Sequence, residues 1–205
     1  MNSIVAKALF NSCHYSDYRK LVSDLLTEGK STAREQSESL AEYSKLNDAR
    51  MRRLDKKISV SHDVASRLQH LKEHYIWLVI TEGWCGDAAQ ILPVLNKMAL
   101  ASDKKIDLRI VLRDQNPELM QQYLTNGASA IPKVIIICKK AGIVRADWGP
   151  RPKGAAALLE RYRREMGVID EKIKTDLQLW YLNDNGVSIQ EELLQVMENI
   201  KYDPL

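Results

Sequence analysis

The segment Ile76 to Thr81 (IWLVIT) is a short, nearly continuous apolar run, and it leads within three residues into Trp84-Cys85-Gly86 and then into helical spacing at Ile91, Leu92, Leu95 and Met98. A run this short and this apolar fits a strand buried on both faces, as in a parallel sheet covered by helices. The order strand, tight turn, helix therefore excludes all-α and all-β architectures. Further along, Ile106 to Leu112 alternates as a second strand, and Pro117 opens a short helix, Glu118 to Leu124, which Asn126-Gly127 ends. Val134 to Cys138 and Ile143 to Trp148 are strands joined through Lys139-Lys140-Ala141-Gly142, a hairpin. Leu158, Leu159, Tyr162 and Met166 mark a closing helix. The element order predicts an α/β fold, a mixed central sheet with helices on both faces.

Helical patterns flank this unit. Tyr15, Tyr18, Val22 and Leu25 predict a helix ending near Gly29. Thr32 with Glu35 reads as a capping box for a second helix carrying Leu40, Tyr43, Met51, Leu54 and Ile58 on one narrow face. Ser61 caps a third with Val64, Leu68 and Leu71. After the closing helix, Ile169, Ile173, Leu177 and Trp180 mark one further helix and Ile189, Leu193, Met197 and Ile200 another, with Ser188 and Glu191 as its capping pair. The expected division is an N-terminal helical extension (1–60), an α/β domain (61–166) and a C-terminal helical extension (167–205).

Bulk properties narrow the function classes. The net charge is +3, with the excess confined to the first 74 residues, so a phosphate-tracking surface is not expected and nucleic acid is not an expected partner. No apolar run approaches the roughly 18 residues of a membrane span, and Met1 to Phe10 does not read as a signal peptide. Three widely spaced cysteines argue against a disulfide framework and for a reducing compartment, hence a soluble cytoplasmic protein. The four histidines form no metal-binding pattern, so neither a metal nor another cofactor is expected.

Cys85 carries the strongest chemical signal. A thiol at a helix N-terminus faces unpaired N–H groups and the positive end of the helix dipole, both of which favour the nucleophilic thiolate. The alternative is a small buried core cysteine. The position, directly after a strand end and a Trp-Gly turn, favours a reactive thiol presented to solvent. Cys138, ending its strand, is expected to be packed. Cys13 sits in the helical arm beside His14, and could serve as a second thiol if that arm reached the turn. Arg50, Arg52, Arg53, Lys56 and Lys57 read as a solvated helix face with Asp48 and Asp55 as ion-pair partners, in preference to a patch for an acidic partner.

At these residues the chain resembles the thioredoxin superfamily, and in particular resembles bacterial thioredoxin-like proteins with a W-C-G-D-A turn. Trp84-Cys85-Gly86 matches the start of the family's W-C-G-P-C, Asp114-Gln115-Asn116-Pro117 follows the central strand, Ala130-Ile131-Pro132 matches the cis-proline segment, and Trp148-Gly149 ends the last strand. The resemblance implies that Cys85 is the attacking thiol. Trp84, Gly86, Asp87 and Ala88 would form its turn, and Ile131, Pro132, Trp148 and Gly149 the substrate groove, where the backbone before a cis-proline pairs with an extended peptide. A plain trans proline opening a strand is the alternative at Pro132.

The departures matter as much. Ala88 replaces the second cysteine, which in a dithiol enzyme resolves the mixed disulfide, and Val79 stands where the family keeps a buried acid. Both parts of the resolving machinery are missing together. Asp87 suits a first helical turn, but its charge should raise the Cys85 thiol toward the free value of about 8.5. The loop Trp148-Gly149-Pro150-Arg151-Pro152 either walls the groove or simply starts the next helix. The sequence thus predicts single-cysteine redox chemistry with protein or small-molecule thiols and disulfides, or alternatively a non-catalytic peptide- or protein-binding module, and leaves the oligomeric state open.

Overall fold

The structure, a computed structural model, describes residues 2–201. A four-stranded sheet holds the centre, in the order β2-β1-β3-β4: β1 (Tyr75–Thr81), β2 (Ile106–Leu112), β3 (Lys133–Cys138) and β4 (Ile143–Trp148). β1 runs parallel to β2 and antiparallel to β3, and β3 and β4 form the expected hairpin. β1 is buried along almost its whole length because both faces are covered. Trp77 donates its indole N–H to Met197 Sδ at 3.4 Å on one side. Side chains alternate along a strand, so Leu78 and Ile80 fill the opposite layer.

The crossover from β1 to β2 is α5 (Gly86–Ala101), whose Ile91, Leu92, Leu95 and Met98 are fully buried. Ahead of β1 come α1 (Ser3–Phe10), α2 (Tyr15–Thr27), α3 (Glu38–Lys57) and α4 (His62–Gln69). A 3₁₀ turn (Arg113–Gln115) and α6 (Pro117–Gln122) follow β2, and α7 (Lys153–Met166), α8 (Glu171–Asp184) and α9 (Val187–Glu198) close the chain. The extensions are built into the core: Tyr18, Val22 and Met51 from the N-terminal part and Ile189, Leu193, Leu194 and Met197 from α9 join one buried cluster with the sheet. Burying an apolar face on a sheet is what stabilises such short helices, since their isolated propensity is marginal.

Several capping expectations are corrected. α3 starts at Glu38 with Ser37 as its cap, Ser37 Oγ accepting from Leu40 N–H at 3.3 Å, so Thr32 and Glu35 form no capping box. Thr32 instead donates its hydroxyl to the buried Glu82 carboxylate. α9 starts at Val187, and Ser188 sits inside its first turn, where its N–H is bonded to the Asp184 carboxylate. Ser61 does cap α4, accepting from Val64 N–H at 3.3 Å. α1 escaped the sequence reading; Asn2 caps it through Ile4 N–H at 2.9 Å.

Candidate active site

β1 ends at Thr81, and Glu82-Gly83-Trp84 carry the chain to Cys85, which is the N-cap residue of α5. The thiol of Cys85 donates to the carbonyl of Ile131 at 3.4 Å, and the Ile131–Pro132 peptide bond is cis. The expected pairing of cysteine and proline bend is therefore present. Ala88 lies one turn further along α5, buried, so no thiol stands in the resolving position.

The expected exposure of Cys85 is corrected: the residue is 8% exposed. Its thiol is pushed up to about 12, first by burial and then by the charge of Asp87, against the opposing pull of the Ala88 and Asp87 backbone N–H groups and of Arg151. The sign expected of Asp87 is right, but burial is the larger cause and carries the thiol well past its free value.

The helical extension and the loop after β4 both reach the turn that carries Cys85. Arg151 pairs with Asp87 at 2.5 Å, and the Tyr181 hydroxyl of α8 donates to the same carboxylate at 2.8 Å. Gln90 of α5 donates to Gln178 of α8 at 2.6 Å. A Cβ placed on Gly86 would lie 3.7 Å from Gln178 Nε2 and 3.9 Å from Arg50 Nη1, so α8 and α3 flank the turn from two sides.

Beneath the turn lies a polar cluster that the sequence did not reveal. Glu82 is fully buried; one carboxylate oxygen accepts from Asp114 N–H at 2.9 Å and the other from the Thr32 hydroxyl. Thr32 Oγ1 in turn accepts Gly83 N–H at 2.8 Å, and Asn47 donates its side-chain amide to the Gly83 carbonyl at 3.0 Å. Burial raises Glu82 to about 7, with the two hydrogen bonds pulling the other way. The buried Tyr18 ring completes the cluster, its hydroxyl pushed up by burial and by nearby Cys85 and Glu82. Val79 is apolar, as read, yet a buried acid exists three residues before Cys85 rather than six. The available signal was a lone carboxylate at the end of an apolar run.

The residues expected to line a groove converge as well. Ile131 and Pro132 are buried, and Gly149, with φ +108°, lies so close that a Cβ there would be 2.5 Å from the Pro132 carbonyl oxygen. Trp148 is also buried, its indole N–H donating to Glu192 of α9 at 3.0 Å. The 148–152 loop packs on Pro132 through Gly149 and leads into α7, with Pro152 at the N-cap position. Trp84 is half-buried under the Arg113 guanidinium, 4.7 Å from the ring centre, and walls a cavity of about 680 Å³ together with Arg34, Leu40, Pro117 and Met120.

This strand-turn-helix geometry has a family. The sequence pattern described as Thioredoxin matches residues 33–164, more than half of the chain. The chain belongs to the thioredoxin family. Its fold is similar to that of a protein of unknown function from Pseudomonas aeruginosa, at 16% identity and a TM-score of 0.57 over 92% of this chain and 99% of that one. It is also similar to an HIV epitope scaffold, at 18% identity and a TM-score of 0.56 over 92% of this chain and 100% of the other.

Within this thioredoxin fold the remaining cysteines lie apart from the turn. Cys138 is packed, its thiol donating to Glu73 at 2.9 Å. Cys13 forms an antiparallel bridge to Ile110 on the outer edge of β2, about two strand spacings (roughly 10 Å) from β1. It is not placed over Cys85. On α3, Arg52 pairs with Asp48 as expected, whereas Asp55 pairs with Arg19 and accepts the Tyr15 hydroxyl. Among the described residues no helix is long and apolar enough to cross a membrane, and no group of three or more His, Cys, Asp or Glu side chains is placed to hold a metal ion.

Proposed function

We propose that this thioredoxin-family protein performs thiol exchange through a single cysteine, Cys85, acting on protein or small-molecule thiols and disulfides in a reducing, cytoplasmic compartment. One observation carries the reading: the Cys85 sulfur heads α5 and lies 3.4 Å from the carbonyl that precedes cis-Pro132, while a buried Ala88 fills the resolving position. In the first step the Cys85 thiolate attacks a disulfide RS–SR′, giving Cys85–S–SR and releasing R′S⁻. In the second, an external thiolate attacks the mixed disulfide and returns Cys85. Electrons balance without a second protein thiol, the external thiol being the reductant where the net change is reduction. In this reading Trp84, Gly86, Asp87 and Ala88 shape the turn, and Ile131, Pro132, Trp148 and Gly149 form the wall against which a substrate backbone is held. No metal or organic cofactor enters.

A second reading, a binding module without catalysis, is favoured by a specific observation: Cys85 is 8% exposed with its thiol pushed up to about 12. Covalent trapping separates the two. Natural protein and Cys85→Ser are incubated with lysate and run on non-reducing gels. Thiol exchange requires partner bands that Cys85→Ser lacks; identical bands from both leave the binding module.

A further inference from the structure

The helix that is bonded to the Cys85 turn is held more loosely than the helix that follows it. α8 buries three side chains, Ile173, Leu177 and Tyr181, while Leu179 and Leu182 of the same helix are each 51% exposed. α9, by contrast, is anchored in the core by Ile189, Leu193, Leu194 and Met197. The connections at both ends of α8 pass through left-handed backbone: Gly167 with φ +73° before it, Asn185 with φ +51° and Gly186 with φ +78° after it. These are short, glycine-containing joints, the kind of position that absorbs a rotation. Elements with few buried apolar contacts open at the low end of the local stability range.

What α8 contributes to the active site is concentrated in three contacts: Tyr181 to Asp87 at 2.8 Å, Gln178 to Gln90 at 2.6 Å, and the Gln178 amide beside Gly86. Arg151 reaches the same Asp87 from the loop ahead of α7, so the Asp87 carboxylate is fixed whether or not α8 is in place. Asp87 therefore offers a preset acceptor on the fixed side, and Tyr181 supplies the moving half.

We propose that α8 is a lid latched to the active-site turn by Tyr181 and Asp87, and that swinging it about Gly167 and Asn185-Gly186 uncovers Cys85. This rests on Cys85 being the working thiol. In the closed form the sulfur is shielded. In the open form the turn, the Ile131 carbonyl and Asp87 with Arg151 remain in place on the domain, ready for a substrate. The latch thus keeps a cysteine without a resolving partner from forming adducts it cannot itself release.

The test uses the full chain and follows N-ethylmaleimide labelling of each cysteine by mass spectrometry. Tyr181→Phe removes the latch hydroxyl. Gly154→Ala is an independent wedge: a Cβ on Gly154 of α7 would lie 2.7 Å from the Trp180 ring of α8, pushing α8 outward while improving the helix propensity of α7. In Tyr181→Phe Cys85 labelling is expected to rise about tenfold, the order that loss of a hydrogen bond to a charged group gives, and in Gly154→Ala to rise more than about twofold. Cys138, sealed in β3, reports global loosening and is expected to stay unchanged. A Cys85 rate within twofold of the natural protein's in both variants, or one that rises in step with Cys138, overturns the lid. Exchange with 2,2′-dithiodipyridine tells the two proposals apart. A variant that labels fast but gives no mixed disulfide keeps the lid and removes the thiol-exchange function.

Discussion

Replacing Glu82 by Gln should abolish a pH dependence of stability that the buried carboxylate imposes. Glu82 is fully buried between the turn, Thr32 and Asp114, and burial raises it from the ordinary 4.5 to about 7. A buried carboxylate with two donors is less displaced than a bare one, because both hydrogen bonds favour its charged form. The native state nonetheless binds this proton more tightly than the unfolded chain does. Below about pH 4.5 Glu82 is protonated in both states and contributes no pH slope. As pH rises toward 7 the unfolded chain has released the proton and the native state has not, so stability falls. Above pH 7 both forms are ionised and the difference levels off. Each pH unit of separation corresponds to ~1.4 kcal/mol, so the loss amounts to about 3 kcal/mol. Glu82→Gln cannot titrate. Any hydrogen bond it makes less well, such as that from Thr32, adds a constant offset without slope. Urea unfolding of both proteins at half-unit steps from pH 4.5 to 8 measures the difference between them, in which the other carboxylates cancel. Natural protein should lose about 3 kcal/mol relative to Glu82→Gln across that window. Parallel stability curves would refute the placement of Glu82 as a buried carboxyl.

Three further outcomes follow from the same site. Thr32→Val deletes the hydroxyl that joins Glu82 to the Gly83 N–H and leaves both buried groups short of a partner, so chemical denaturation should show a loss of about 1–3 kcal/mol. Gly149→Ala puts a methyl 2.5 Å from the Pro132 carbonyl oxygen at a backbone angle that L-residues disfavour; a thermal melt should place it at least ~2 kcal/mol below the natural protein, and an unchanged melting temperature contradicts the close approach. With the thiol pushed up to about 12, alkylation of Cys85 by iodoacetamide should keep climbing about tenfold per pH unit through pH 9 and 10, whereas a plateau below pH 9 shows a far more acidic thiol than this burial permits.

Where side-chain pattern alone decides an element, the sequence is legible. β2 falls at Ile106–Leu112 as read, β1 and β3 extend the expected runs by a single residue, and α5 buries the side chains its spacing marks. The turn at Cys85 was readable from its place between a strand and a helix, whereas the bend at Pro132 was expected only through the resemblance to the thioredoxin superfamily. Thr32 is the instructive failure. A Thr three residues before a Glu is locally a capping box, worth about 1 kcal/mol. A buried carboxylate and an unpaired Gly83 N–H in need of partners outweigh it, and those partners lie 50 and 51 residues away in the chain.

The sequence by itself determined the strands and the cysteine at the head of α5, because each follows from residue type and spacing within one stretch of chain; that Ala88 stands in place of a second thiol is legible only beside the family pattern it resembles. Tertiary structure alone decided how that thiol is presented. Whether Cys85 faces water or protein depends on groups brought to the turn from far along the chain, among them Ile131 on the thiol and Arg151 and Tyr181 on Asp87, the last two 64 and 94 residues beyond that carboxylate. No local pattern encodes such a contact; it exists only once the helices have packed, and the desolvation it brings is the largest influence on the thiol's chemistry.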